Sequence, residues 1–109
     1  VFPFGAVVLT RFAFTDLSGD KRRPALVISR DNPGDFVVCF ITSIARTGAH
    51  AAPLAATSGT GLKVPSWVRF DKLATLNRTV IAGRLGEAPG DWLTAHRAAF
   101  FDVFGFGQP

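Results

Sequence analysis

The sequence predicts a mainly-β fold, a small barrel with one C-terminal helix. Three observations carry this. Short apolar runs recur along the chain, each bounded by Gly, Pro, Asp, Asn or Ser. Such runs read as strands. One segment only, near the C-terminus, repeats its apolar residues at helical spacing. And 109 residues are enough for one domain with a moderate core. Several short strands plus one terminal helix pack best as a β-barrel with a helical lid.

Taken in order, residues 6–13 read as a strand, apolar on both faces at its start. That pattern suits a central strand or one facing a partner. Residues 15–23 form a polar loop with a Ser-Gly-Asp turn signal. Strands follow at 24–29 and 36–44. Between them lies Asp31-Asn32-Pro33-Gly34-Asp35, a turn cluster that predicts an antiparallel hairpin. Residues 45–61 are mostly Ala, Gly, Thr and Ser, with Arg46, His50, Pro53 and Leu54, and read as a long loop beside the site. A short strand is expected at 62–64, another at 66–70, a turn or single helical turn at 71–78, and a last strand at 79–85. The helix spans 90–104. Pro89 and Asp91 suit its first turn and Gly105 its stop. Trp92, His96, Ala99 and Val103 make one stripe, widened by Leu93, Phe100 and Phe104.

Three clusters carry candidate chemistry. Lys21-Arg22-Arg23-Pro24 abuts the apolar run Ala25-Leu26-Val27-Ile28. Pro24 suits a strand start and keeps Arg23 extended. A fixed guanidinium there suits phosphate, although a solvated loop that keeps the strand soluble is an equal reading of the triplet alone. Thr42 ends an apolar strand on the face of Val38 and Phe40. Its hydroxyl needs a partner, either backbone or a ligand oxygen. Trp67, Arg69 and Asp71 alternate onto one face. They form either a surface ladder or an acid and a base beside a stacking platform.

The order of these signals, Arg-Arg-Pro, then Ile41-Thr42-Ser43, then Pro65-Ser66-Trp67-Val68-Arg69-x-Asp71, then Arg84-Leu85-Gly86, resembles the MazF/PemK family. These are the toxin halves of bacterial toxin–antitoxin pairs. The resemblance runs from about Gly5 to Gly105. It implies a small SH3-like, MazF/CcdB-type β-barrel with a C-terminal α-helix, acting as a homodimer. It also implies metal-independent, cofactor-free, sequence-specific cleavage of single-stranded RNA, and an antitoxin whose acidic segment covers the cleft. The family's catalytic positions fall on Arg23, Thr42, Arg69 and Asp71. RNA contacts are expected from Lys21, Arg22, Ser18, Ser43 and Trp67. Two departures stand out. Gly5 is followed by Ala6 where an acidic residue is usual. The first long loop carries Asp16, Ser18 and Asp20 in place of a histidine and acid.

Composition bounds the alternatives. The net charge is +4, which favours a polyanionic partner. High apolar and low charged content suggests surface covered by a second copy. The one cysteine, Cys39, lies in an apolar strand and reads as inert core; neither an internal disulfide nor a Cys/His metal spacing is available. No apolar run approaches the ~20 residues of a membrane span, and no signal-peptide pattern opens the chain, so a cytoplasmic, bacterial protein is expected. CcdB-like gyrase poisons share the barrel, but use a Trp close to the C-terminus, and here the last is Trp92, inside the helix. A non-catalytic nucleic-acid-binding barrel is the third reading.

Overall fold

The computed structural model describes residues 2–11, 22–30 and 34–107. Six strands form one antiparallel sheet: β1 (Ala6–Thr10), β2 (Arg23–Val27), β3 (Asp35–Thr42), β4 (Ala51–Leu54), β5 (Ser66–Asn77) and β6 (Ile81–Glu87). Their order across the sheet is β4-β5-β3-β2-β1-β6. Among the described residues β4 and β6 remain as edges, so the mainly-β sheet is barrel-like and not closed. Two short helices follow, α1 (Gly90–Ala95) and α2 (Arg97–Val103).

Side-chain alternation divides the core between the two faces of the sheet. On one face Val7, Leu26, Cys39, Ile41, Val68 and Phe70 pack together, and Trp92, Leu93, Ala99, Phe100 and Val103 of the helices lie against them. On the other, Val8, Ala25, Val27, Phe36, Val38 and Phe40 pack with Phe2 and Ile81. Cys39 is fully buried, and burial pushes its thiol pKa up to about 12. It is a core residue, as expected.

The predicted hairpin is β2–β3, with Ala25 opposite Phe40 and Val27 opposite Val38. Four segments differ from expectation. The 45–61 loop contains β4, where Ala52 and Leu54 alternate into the core. Pro53 is tolerated because β4 is an edge strand. Residues 62–64 are a loop, not a strand. The expected turn at 71–78 is the second half of β5. Ile41 pairs with Val68 but Cys39 with Leu73, so β5 carries extra residues that bend it while it stays paired. Asn77 then caps a single 3-10 turn, Arg78–Val80, by accepting from the Thr79 N–H at 3.0 Å. The one predicted helix is interrupted at His96, whose backbone leaves helical geometry (φ −103°, ψ 6°). The break is short, because the His96 N–H still reaches the Trp92 carbonyl at 3.1 Å. The His96 ring packs 4.6 Å from Trp92 and 6.5 Å from Phe70, which makes it a packing residue. Among the described residues no helix is long and apolar enough to cross a membrane.

Candidate functional site

A groove of about 520 Å³ opens where β2 begins and β3 ends. Arg22, Arg23 and Pro24 line it beside Ile41, Thr42, Ser43 and Ile44, and the segment 61–64 faces them. The sheet register explains the meeting. Continuing the β2–β3 pairing two residues past Ala25 and Phe40 brings Arg23 opposite Thr42. The start of one strand and the end of its antiparallel neighbour thus fall at the same end of the pair, and both residues line the groove.

Local hydrogen bonds set both residues. Thr10 Oγ1 donates to the Arg23 carbonyl at 2.9 Å, tying the backbone under the guanidinium to β1. Behind Arg23, Ala25 and Leu26 are buried, so the strand cannot swing. Thr42 Oγ1 accepts the Ile44 N–H at 3.1 Å, which fixes the turn after β3. The hydroxyl's own hydrogen is left to donate elsewhere. A guanidinium on an anchored backbone and a hydroxyl donor on the adjacent strand can bind two oxygens of one phosphate.

Arg69 and Asp71 are side by side on β5 but do not line this groove. Arg69 Nε donates to Asp71 Oδ1 at 3.1 Å and Nη2 to Oδ2 at 2.8 Å. These bonds hold the Asp71 carboxyl below its ordinary range, and His50 adds a smaller pull in the same direction. The same bonds push the Arg69 guanidinium further up. Trp67 also stands off the groove. It lies between Thr42 and Pro53 in the sheet, opposite both. Of the predicted RNA contacts, Arg22 and Ser43 line the groove. Lys21 and Ser18 fall outside the described residues.

Sequence reasoning missed Lys63, Val64 and Leu85 on the opposite wall, and Ile44 beside Thr42. The bracket Gly61-Leu62-Lys63-Val64-Pro65 was the available signal, since Gly and Pro at both ends mark a loop. Only the fold shows that this loop returns to β2. Among the described lining residues there are three cations and no carboxylate. A second cavity, about 410 Å³, lies between the helices and the sheet. Its walls are mostly apolar, with Phe4, Phe70, Trp92 and Phe100 prominent.

A family model described as PemK-like, MazF-like toxin of type II toxin–antitoxin systems matches residues 4–104. The chain belongs to this toxin family. A search of curated proteins gives no match. Among solved structures, the fold of this toxin is similar to the Mycobacterium tuberculosis toxin MazF-mt6 (TM-score 0.79, 22% identity, covering 94% of this chain and 99% of that one). It is similar to a chain of the MazE–MazF crystal structure (Form-II) from Deinococcus radiodurans (TM-score 0.77, 28% identity, 96% of each chain). It is also similar to an endoribonuclease in complex with its cognate antitoxin from a Mycobacterial species (TM-score 0.79, 20% identity, 100% of each chain).

Proposed function

We propose that this toxin is a metal-independent, sequence-specific endoribonuclease acting on single-stranded RNA. The observation that carries the reading is the shared groove of Arg23 and Thr42, cationic and free of carboxylates among its described lining residues. The 2′-hydroxyl of the RNA attacks the adjacent phosphorus in line. The bond to the 5′-oxygen breaks, leaving a 2′,3′-cyclic phosphate and a 5′-hydroxyl. Arg23 stabilises charge on the phosphoryl oxygens, where a preorganised cation is most effective. Thr42 donates a hydrogen bond to one of them and holds the phosphate in register. Arg22, Lys21, Ser18 and Ser43 contact the flanking nucleotides.

In this proposal Asp71, held by Arg69 on β5 beyond the groove lining, serves an RNA strand that runs from the groove across β5. While Arg69 holds both oxygens, Asp71 is a poor base. A substrate phosphate that takes over the Arg69 guanidinium frees the carboxylate and raises its basicity. Asp71 then accepts the 2′-hydroxyl proton. Arg69 contributes charge stabilisation rather than a proton, because its pKa is too high for an efficient acid; water protonates the 5′-oxygen.

The partners follow from the relatives. MazE–MazF structures are among those similar to this chain, and we assign it an antitoxin whose acidic segment covers the same cationic groove. A homodimer is the proposed form. Phe4, Phe101, Phe104 and Phe106 are exposed near the helices, and a second copy there removes them from water. The proposed place of action is the bacterial cytoplasm, where the RNA is.

The test is cleavage of a long defined transcript in EDTA, with the fragment ends mapped. Cutting is expected, and Arg23→Ala should reduce it at least ~10²-fold with the fold intact. A single 2′-deoxy nucleotide at the cut site should abolish it. Full activity of a folded Arg23→Ala, or cutting of the deoxy substrate, refutes the mechanism. Intact RNA with loss of gyrase supercoiling would move the protein to the gyrase-poison class.

A further inference from the structure

The groove has a second wall that the phosphate chemistry does not use. Ile44, Val64 and Leu85 all line it, and they are 67%, 50% and 36% exposed. Large aliphatic side chains left in water together beside three cations call for an occupant that is apolar on one side and anionic on the other. A nucleotide has this character, with its base face and its phosphate.

Each of the three aliphatics is fixed by a local device. The Ile44 N–H donates to Thr42 Oγ1 at 3.1 Å. Ser66 Oγ donates to the Val64 carbonyl at 2.9 Å, pinning that residue to the start of β5. Gly61 lies against the Leu85 backbone so closely that a Cβ there would collide with the Leu85 carbonyl oxygen. These contacts fix the backbone from which the three side chains project, so binding does not have to order the wall's main chain. Trp67, the platform expected from the sequence, does not line the groove.

We propose that Ile44, Val64 and Leu85 form a base subsite, taking one unstacked base of single-stranded RNA, while Lys63 and Arg22 hold the flanking phosphates. The assignment rests on the RNA-cleaving reading and adds where base selection occurs. Charge decides for RNA over a wholly apolar occupant, because the described groove lining offers cations and no carboxylate to a chain of phosphates. The face of a base meets the aliphatic wall, and its edge reaches the polar groups of Ser43 and the loop backbone.

The experiment measures equilibrium binding by fluorescence anisotropy. The probes are 2′-O-methyl oligonucleotides, which cannot be cut by 2′-hydroxyl attack. Four homopolymeric octamers are compared with an abasic octamer of the same charge. The wild-type protein should bind at least one base-bearing octamer about tenfold more tightly than the abasic one. The double variant Ile44→Ser/Val64→Ser should lose that preference and keep its affinity for the abasic probe. Lys63→Ala should weaken both probes alike and reduce the salt dependence by about one phosphate contact. Both aliphatics are exposed, so the double variant should retain its melting temperature, and its abasic binding reports an intact cationic wall.

Base preference unchanged in the double variant overturns the subsite. So does an equal loss on both probes, or no binding to any octamer. Binding of a Glu-Leu repeat peptide without binding of any octamer overturns it in favour of protein docking. Transcript cleavage in EDTA is scored separately. Base preference without cleavage leaves the subsite standing and removes the nuclease reading. Cleavage with unchanged base preference in the double variant does the reverse.

Discussion

The wall that carries Lys63 and Val64 depends on one glycine, and Gly61→Ala tests that dependence. Gly61 has φ +71°, in the left-handed region, where a side chain costs ~1–2 kcal/mol. Its Cβ would also run into the carbonyl of Leu85 on β6. That obstacle is backbone, not the far end of a flexible side chain, so the segment must move. Overpacking of this kind costs a further ~1–3 kcal/mol. Alanine also restricts the unfolded chain, which returns ~0.4–1 kcal/mol. The net expectation is a loss of roughly 1–5 kcal/mol, or on the order of 10 °C in Tm. The assay is thermal and denaturant unfolding followed by circular dichroism. Gly83→Ala is the internal control. It lies on the same strand β6, without a positive φ, and a Cβ there meets nothing within 4 Å. Gly83→Ala should be neutral or stabilising by up to ~1 kcal/mol. A Gly61→Ala protein that melts within about 2 °C of wild type, or no more than the Gly83→Ala protein departs from it, would refute the account of the wall.

Two further predictions concern the core and the helices. Burial holds the Cys39 pKa at about 12 against 9.0 for the ordinary thiol. The folded state therefore keeps its proton where the unfolded state loses it, so stability is full below about pH 9 and declines as pH rises towards 12. The loss attributable to this group is on the order of 1 kcal/mol at pH 10. Urea unfolding at pH 7.5 and pH 10 should show it as a steeper decline in wild type than in Cys39→Ala, and equal declines would contradict it. Trp92 Nε1 donates to the Pro53 carbonyl at 2.6 Å, joining α1 to the edge strand β4. Trp92→Phe keeps a ring against Phe70 but loses that bond, and should lower the urea midpoint by the equivalent of ~1 kcal/mol without changing the slope.

The sequence exposed those features that depend on near neighbours. The turn cluster at 31–35 predicts the pairing of β2 with β3, and Arg23 at the start of one and Thr42 at the end of the other line one groove. The hairpin was legible before any fold was known, while the grouping of Arg23 with Thr42 came from the family resemblance. Arg69 and Asp71 were legible as a same-face pair, and they bond to each other. What the sequence concealed depends on long-range packing. β4 reads as loop because Ala51, Ala52 and Pro53 have poor strand propensity; its place at the sheet edge next to β5 overrides that. The second half of β5 reads as a turn because its exposed charges Asp71 and Lys72 fall in the bend, where two residues of β3 span more than two of β5. Ile44 and Val64 carry no sequence signal for a shared wall, since they are 20 positions apart in different loops.

The two walls of the groove are held by different physics, and this bears on how base selection can vary without loss of the fold. Arg23 and Thr42 stand at the ends of strands whose inner residues, Ala25 to Val27 and Val38 to Ile41, are buried, so moving either strand disturbs the core. The wall of Lys63 and Val64 is held by a serine bond to Val64, a threonine turn within 57–60, and backbone contact of Gly61 and Gly86 with their neighbours. Thr60, nearly fully buried, donates to the Ala55 carbonyl at 2.8 Å and closes that turn. Of the exposed tips, neither Lys63 nor Val64 supports any core cluster through its side chain. Substitution at those tips therefore changes what the groove touches at little cost in stability. Substitution at Thr60 or Gly61 moves the whole wall. Variation in base preference should accordingly be tolerated at 44, 63 and 64, while 60 and 61 should resist change for reasons of folding.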